Sequence, residues 1–155
     1  MNGPWMSLQA SFQPELTRGR APVEIFGMVR LLLNDETLWT RQALARDAQG
    51  RPVRPNHPDA VCWCVEGAIA FVANDRGVVP PFFMQYMDLV IQYDFMDVIH
   101  EVFIWREPVN IGNLEDEDDV SFMRLPELVT TPIFQDRVSH ATVLALLDAC
   151  LRRLR

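Results

Sequence analysis

Hydrophobic residues recur at three- and four-residue spacing in three stretches of the chain, and this pattern predicts three strong helices. They cover residues 22–34, 58–74 and 139–155. Each of the first two has a proline suited to its first turn, and Ser139 is a good N-cap for the third. Leu31 and Met28 widen the apolar face of the first helix, so we expect that helix to be central.

Residues 80–105 form a fourth apolar and aromatic region, whose polar positions change face near Tyr93. This slip predicts either two helices or one helix kinked at that point. Residues 102–105 are rich in strand-forming side chains, which leaves a strand open there. Asp35 is placed to cap a short helical turn over residues 36–39.

Turn-forming residues divide these helices. Residues 46–57 contain two prolines, with Pro58 directly after them, and the sequence Asp47-Ala48-Gln49-Gly50, which predicts a loop and allows a short hairpin near Gly50. Residues 1–21 are an irregular N-terminal arm, whose apolar side chains suit either an ordered arm or a loose tail. The prediction is a mainly α, compact domain of four to five helices over residues 22–155, with an acidic loop at 106–132.

Composition narrows the class of protein. The chain has 155 residues, 49% of them hydrophobic, and no apolar run near the roughly 20 residues that span a bilayer. The start of the chain does not resemble a signal peptide, and three cysteines suggest reduced thiols, so we expect a cytoplasmic protein. All fourteen basic residues are arginine, which excludes a lysine Schiff base and a lysine-containing phosphate loop.

The net charge of −7 is unevenly distributed. Residues 85–119 contain ten acids and only Arg106, whereas residues 1–60 contain seven arginines and six acids. Such an acidic surface repels nucleic acid and anionic lipid and attracts a basic protein surface, although solvation alone also explains many acidic runs. The acids predicted to bind a partner are Asp88, Asp94, Asp97, Glu101, Glu115, Asp116, Glu117, Asp118 and Asp119.

Two stretches carry motifs. The first contains Trp39-Thr40, Ala45-Arg46-Asp47, Gly50-Arg51-Pro52, Trp63-Cys64 and Gly67-Ala68, and the second contains Phe134-Gln135-Asp136 and then His140. Together they resemble a family of small bacterial domains of unknown function. Members of that family show tryptophan and asparagine where this chain has Phe134 and Gln135. The resemblance implies a compact helical domain, and it implies no activity. We expect a bacterial or phage protein.

Three residues have the side chains of a nucleophile, a base and an orienting acid: Cys64, His140 and Asp136. The spacing places Cys64 in the second turn of the helix 58–74, on its apolar face. A thiol there gains little from the helix N-terminus, and burial raises its pKa. A structural cysteine is therefore the preferred interpretation, and a cysteine-dependent enzyme is the alternative.

The remaining candidate sites have simpler explanations. His57, Cys62 and Cys64 could bind zinc, but one residue between the cysteines is too few for a structural zinc site, so we expect no metal and no cofactor. Residues 113–119 lack the spacing of a calcium loop. Arg46 and Asp47 would suit a ligand-binding pair or, more simply, a pair that fixes the loop.

Three hypotheses for function follow. The first is a non-enzymatic interaction protein whose acidic surface binds a basic partner, which includes mimicry of nucleic acid. The second is an enzyme that uses Cys64 with His140 and Asp136. The third is a structural or assembly subunit whose apolar arm packs on a neighbouring molecule.

Overall fold

The computed structural model describes Trp5, Leu8 and residues 10–99 and 134–155. Of Ile99 it describes only the backbone. Five α-helices lie in this part of the chain: α1 (Pro22–Leu33), α2 (Val65–Ala73), α3 (Pro81–Asp94), α4 (Met96–Ile99) and α5 (His140–Leu154). Three short strands, β1 (Ala45–Arg46), β2 (Pro52–Val53) and β3 (Cys62–Trp63), pair antiparallel in the order β2–β1–β3. The predicted mainly α fold is therefore confirmed.

Helix α1 lies at the centre of the core, between α2 and α5, and α5 also packs on α3. Its fully buried residues are Ile25, Phe26, Val29 and Leu33, at the predicted spacing. Met28 is 36% exposed and Leu31 is 79% exposed, so the expectation that these two residues widen the buried face is wrong. The Leu31 side chain lies two positions from Leu33, which turns it to the other side of the helix.

Helix α2 begins seven residues later than predicted, at Val65 rather than at Pro58. The chain before it is extended, because Cys62 and Trp63 pair with β1. Two further backbone bonds, from Val61 N to the Arg46 oxygen (2.8 Å) and from Cys64 N to the Leu44 oxygen (3.2 Å), continue this pairing. Backbone groups bonded across a sheet cannot also form a helix, so Cys64 becomes the N-cap.

Gly67 allows α2 to approach the chain that leads into β1. A Cβ atom at this position would lie 1.8 Å from the Leu44 carbonyl oxygen and 2.6 Å from its carbon. No other residue type fits such an approach without displacement of the backbone. Gly67 thus fixes α2 directly against the small sheet.

The long aromatic region is two helices, which is the first of the two alternatives left open by the change of face near Tyr93. Helix α3 ends at Asp94, and Phe95 leaves the helical conformation (φ −128°, ψ 34°) before α4 begins. The predicted strand at 102–105 and the predicted acidic loop at 106–132 lie outside the described residues.

The described side chains of the N-terminal arm pack on α3. The Trp5 ring meets the Tyr86 ring edge-on, with centroids 5.2 Å apart, and Phe12 meets Phe82 in the same way at 5.3 Å. The guanidinium of Arg153, from α5, lies 4.7 Å from the Trp5 ring centroid. The arm therefore contacts both α3 and α5.

The two predicted caps are present. Ser139 Oγ accepts a hydrogen bond from Thr142 N at the start of α5 (3.2 Å). Asp35 Oδ1 accepts one from Thr37 N (2.9 Å) at the start of a 3-10 turn, Glu36–Leu38. These bonds satisfy backbone donors that the first turn leaves without an intrahelical partner.

Candidate functional site

Gln135 joins three segments around the predicted candidate residues. It is the last helical residue before the turn that leads to α5, and it is 1% exposed. Its Oε1 atom accepts hydrogen bonds from the backbone N–H of Val65 (3.1 Å) and from the indole N–H of Trp39 (3.3 Å). The first bond satisfies the N–H of the first residue of α2, which has no partner within its own helix.

Cys64 is a buried cap rather than a residue inside a helix, so its expected place in the second turn is wrong. Its Sγ accepts a hydrogen bond from Gly67 N (3.3 Å), and the residue is 3% exposed. Burial raises the pKa of this thiol, and hydrogen bonds from the Gly67 backbone and the Gln135 side chain offset part of that effect. The thiol is therefore protonated at neutral pH and is a poor nucleophile.

His140 and Asp136 each bond to backbone. The Nε2–H of His140 donates to the carbonyl oxygen of Leu33 (2.7 Å) at the end of α1. Asp136 Oδ1 accepts from the backbone N–H of Gln42 (3.2 Å), whose φ of +63° lies in the left-handed region. The imidazole thus joins α5 to α1, and the carboxylate stabilises a strained turn.

Cys64, His140 and Asp136 surround one small region, yet no hydrogen bond joins any two of these three described residues. The contacts run from Cys64 to Gln135, from Gln135 to Trp39, and from Trp39 to His140, whose ring centroids are 5.3 Å apart. A nucleophile needs its base within about 3 Å. The arrangement stabilises the meeting point of α1, α2 and α5.

Arg41 is a further member of this cluster that sequence reasoning missed. Its guanidinium donates to the backbone carbonyls of Asp136 (3.3 Å) and Val138, and lies 4.8 Å from the centroid of Trp39. The sequence contains a partial signal for this cluster. Trp39 belongs to the Trp39-Thr40 motif, and Gln135 replaces the asparagine that is typical of the resembled family. Nothing in the sequence pointed to Arg41.

Arg46 and Asp47 are engaged within their own turn. The guanidinium of Arg46 donates to the carbonyl oxygens of Gly50 (3.0 Å) and Arg41 (2.9 Å) and to the hydroxyl of Thr40 (3.0 Å). Asp47, 6% exposed, accepts from the backbone N–H groups of Gln49 (3.0 Å) and Arg51 (2.9 Å) and from the Arg51 side chain (2.9 Å). The pair holds the hairpin turn around Gly50.

Three of the nine acids predicted to bind a partner are described. Asp94 forms two hydrogen bonds with Arg153 (2.8 and 2.9 Å), so it is not an unpaired acid on an open face. Asp97, in α4, is exposed, and Asp88 is half-buried in α3. Glu101 and residues 115–119 lie outside the described residues, as does the calcium candidate at 113–119.

Within the described part of the chain, no three His, Cys, Asp or Glu side chains are placed to hold a metal ion. His57, the proposed zinc partner of Cys62 and Cys64, instead accepts a hydrogen bond at Nδ1 from the backbone N–H of Asp59 (3.0 Å). The described helices include none with the length and apolar character needed to cross a membrane.

Comparison with known families matches residues 17–153, nearly the whole chain, to one family model. The chain belongs to DUF6197, a family of unknown function. Neither the curated proteins nor the solved structures contain a match. Four motif residues of this DUF6197 chain have structural roles. Trp39 bonds to Gln135, Asp47 holds the hairpin turn around Gly50, Cys64 caps α2, and Gly67 allows α2 to pack closely on the chain before β1.

Proposed function

We propose that this DUF6197 protein is a non-enzymatic interaction protein that presents an acidic surface to a basic partner protein. The distribution of charge supports the proposal. Residues 100–133 contain eight acids and two arginines, a net charge of −6, whereas the rest of the chain contains thirteen acids and twelve arginines. Nearly all of the excess negative charge therefore belongs to one segment, which attracts a basic surface over about a Debye length.

Ion pairs within the fold also support an acidic surface that lies in one segment. At least four acids of the described residues form ion pairs with arginines, and the excess charge of the chain lies in residues 100–133. The pairs are Arg18–Asp75, Arg30–Asp148, Arg51–Asp47 and Arg153–Asp94. Charges satisfied within the domain contribute little to attracting a partner.

The described side chains with catalytic potential are used as structural bonds, which favours an interaction protein over a cysteine-dependent enzyme. The arm proposed for assembly packs on its own chain through Trp5 and Phe12. The proposal takes a bacterial or phage protein in the cytoplasm as its setting. Its partner is a basic protein rather than nucleic acid or a membrane, and the acidic run can act as a mimic of nucleic acid.

Affinity capture from cells of the source organism tests the proposal. The wild type is compared with a triple variant, Glu115→Gln, Glu117→Gln and Asp119→Asn. We expect a basic protein that the wild type retains at 50 mM NaCl and releases at 300 mM, because salt screens exposed charges. The triple variant should lose most of that protein.

A matched control removes three exposed acids from elsewhere, with Glu15→Gln, Glu36→Gln and Asp59→Asn. This control changes the net charge by the same amount and should retain the partner. Equal loss in both variants would mean that total charge, rather than the acidic segment, governs capture. Recovery of no salt-sensitive protein would refute the proposal.

A further inference from the structure

An open depression lies beside the β1–β2 hairpin. Its lining consists of Leu44, Pro52, Val53, Arg54 and His57. The first three give an apolar floor, and Leu44 is 38% exposed. A nonpolar side chain placed here would remove apolar surface from water on both partners.

The polar groups of the depression are hydrogen-bond donors. Arg54 is exposed, and within residues 10–99 and 134–155 its guanidinium has no hydrogen bond or ion pair. His57 accepts a hydrogen bond at Nδ1 from Asp59 N, so the neutral ring carries its proton on Nε2, which is a donor. Two donors beside an aliphatic floor suit a carboxylate attached to a hydrophobic residue.

The hairpin region also carries a net positive charge. Residues 41–57 contain four arginines and one acid, a formal charge of +3 with neutral histidine. The same chain contains a complementary sequence at residues 114–120, where five consecutive acids stand between Leu114 and Val120. Every copy therefore carries both a basic apolar surface and an acidic run with apolar ends.

We propose that the hairpin depression binds the 114–120 run of a second copy of this chain. Acidic side chains of the run accept from Arg54 and His57, and one of its flanking aliphatic residues packs on Leu44 and Val53. The inference rests on the proposed function and names one basic partner for it. The two surfaces differ, so the contact is head-to-tail and the association depends on concentration.

A peptide-binding experiment tests this contact. The receiver, which is the protein that binds the peptide, is the full chain with Glu115→Gln, Glu117→Gln and Asp119→Asn. These changes keep its own residues 114–120 from competing with the peptide for the depression. The probe is a fluorescein-labelled synthetic peptide of residues 112–122, followed by anisotropy at 50 mM NaCl. We expect saturable binding that weakens about tenfold with Arg54→Ala and is lost at 500 mM NaCl.

Arg76→Ala is the matched control, because Arg76 is also exposed and lies outside the depression. It should leave peptide binding within twofold of the receiver. Equal weakening by the Arg54 and Arg76 variants, or equal binding of a peptide with its acids changed to amides, would overturn the proposed contact.

Sedimentation of the wild type distinguishes this contact from the broader function. We expect an average mass that rises with protein concentration at 50 mM NaCl and falls to the monomer mass with Arg54→Ala. A wild type that stays monomeric at all concentrations overturns binding between copies. If that wild type still captures a salt-sensitive basic protein from cells, the proposed function stands and only the self-association is refuted.

Discussion

Replacement of Gly67 by alanine is the sharpest test of how the domain is assembled. The new Cβ would lie 1.8 Å from the Leu44 carbonyl oxygen, and even a tight contact requires 3.0 Å. The backbone of α2 and the chain before β1 must therefore separate by about 1.2 Å. That movement stretches the hydrogen bond from Cys64 N to the Leu44 oxygen, now 3.2 Å, beyond its useful range.

The size of the effect follows from three contributions to the free energy of unfolding. Overpacking costs about 1–3 kcal/mol, and loss of the hydrogen bond costs about 1 kcal/mol. The higher helix propensity of alanine returns at most about 1 kcal/mol. The expected net loss is about 2.5 kcal/mol, which lowers Tm by about 5–10 °C for a domain of this size.

Thermal and urea unfolding, followed by circular dichroism, measure this loss. Gly27→Ala is the matched control, because a Cβ added in α1 at Gly27 meets no atom within 4 Å. The control should raise stability by about 0.5–1 kcal/mol through the same change in chain entropy. A Gly67→Ala protein as stable as the wild type would refute the close packing of α2 on the sheet.

Three further results are expected. Gln135→Ala leaves one buried donor, Val65 N, and one part-buried donor, Trp39 Nε1, without an acceptor. It should lower the free energy of unfolding by about 2–3 kcal/mol in urea titrations, whereas exposed Gln85→Ala should change it little. Arg153 lowers the pKa of Asp94 below its ordinary 3.8, so the pair stabilises the fold above about pH 4 and its contribution disappears as pH falls through the lowered value. At pH 6 the wild type should be more stable than Asp94→Asn by roughly 0.5–1 kcal/mol, and this difference should vanish in acid. A difference that stays constant with pH would contradict a stabilising role for the ion pair. In thiol titration with a disulfide reagent at pH 8, half-buried Cys62 should react first, and the two buried cysteines only after unfolding, because burial raises the pKa of both.

Long periodic patterns predicted most of the helical fold. The helices at 22–33 and 140–154 follow directly from apolar spacing and from their end signals, and the break at Phe95 follows from a shift of the polar face. The predicted start of α2 is wrong because Pro58 and Asp59 resemble the beginning of a helix. A two-residue strand leaves no periodic signal, and its partners lie in a distant part of the chain.

The sequence predicts part of the candidate site. It favours a structural role for Cys64 and for the Arg46–Asp47 pair, but it does not predict the hydrogen-bond partners of Cys64, Asp136 and His140. Cys64, Asp136 and His140 do lie near one cluster. Asp136 and His140 bond to backbone groups of other segments, and such partners depend on how the segments pack rather than on local sequence. Cys64 bonds to Gly67 in the first turn of its own helix. The need for glycine at position 67 likewise follows only from the approach of Leu44.

The packing of Trp5 on Arg153 has a practical consequence for handling this protein. The first and last segments of the described chain share one cluster, because the guanidinium lies 4.7 Å from the indole centroid and also bonds to Asp94. Deleting a few residues from either end would disturb the same contacts, so the two truncations are not independent experiments. Affinity tags are best tested at both ends, since a bulky fusion at one terminus also affects the other.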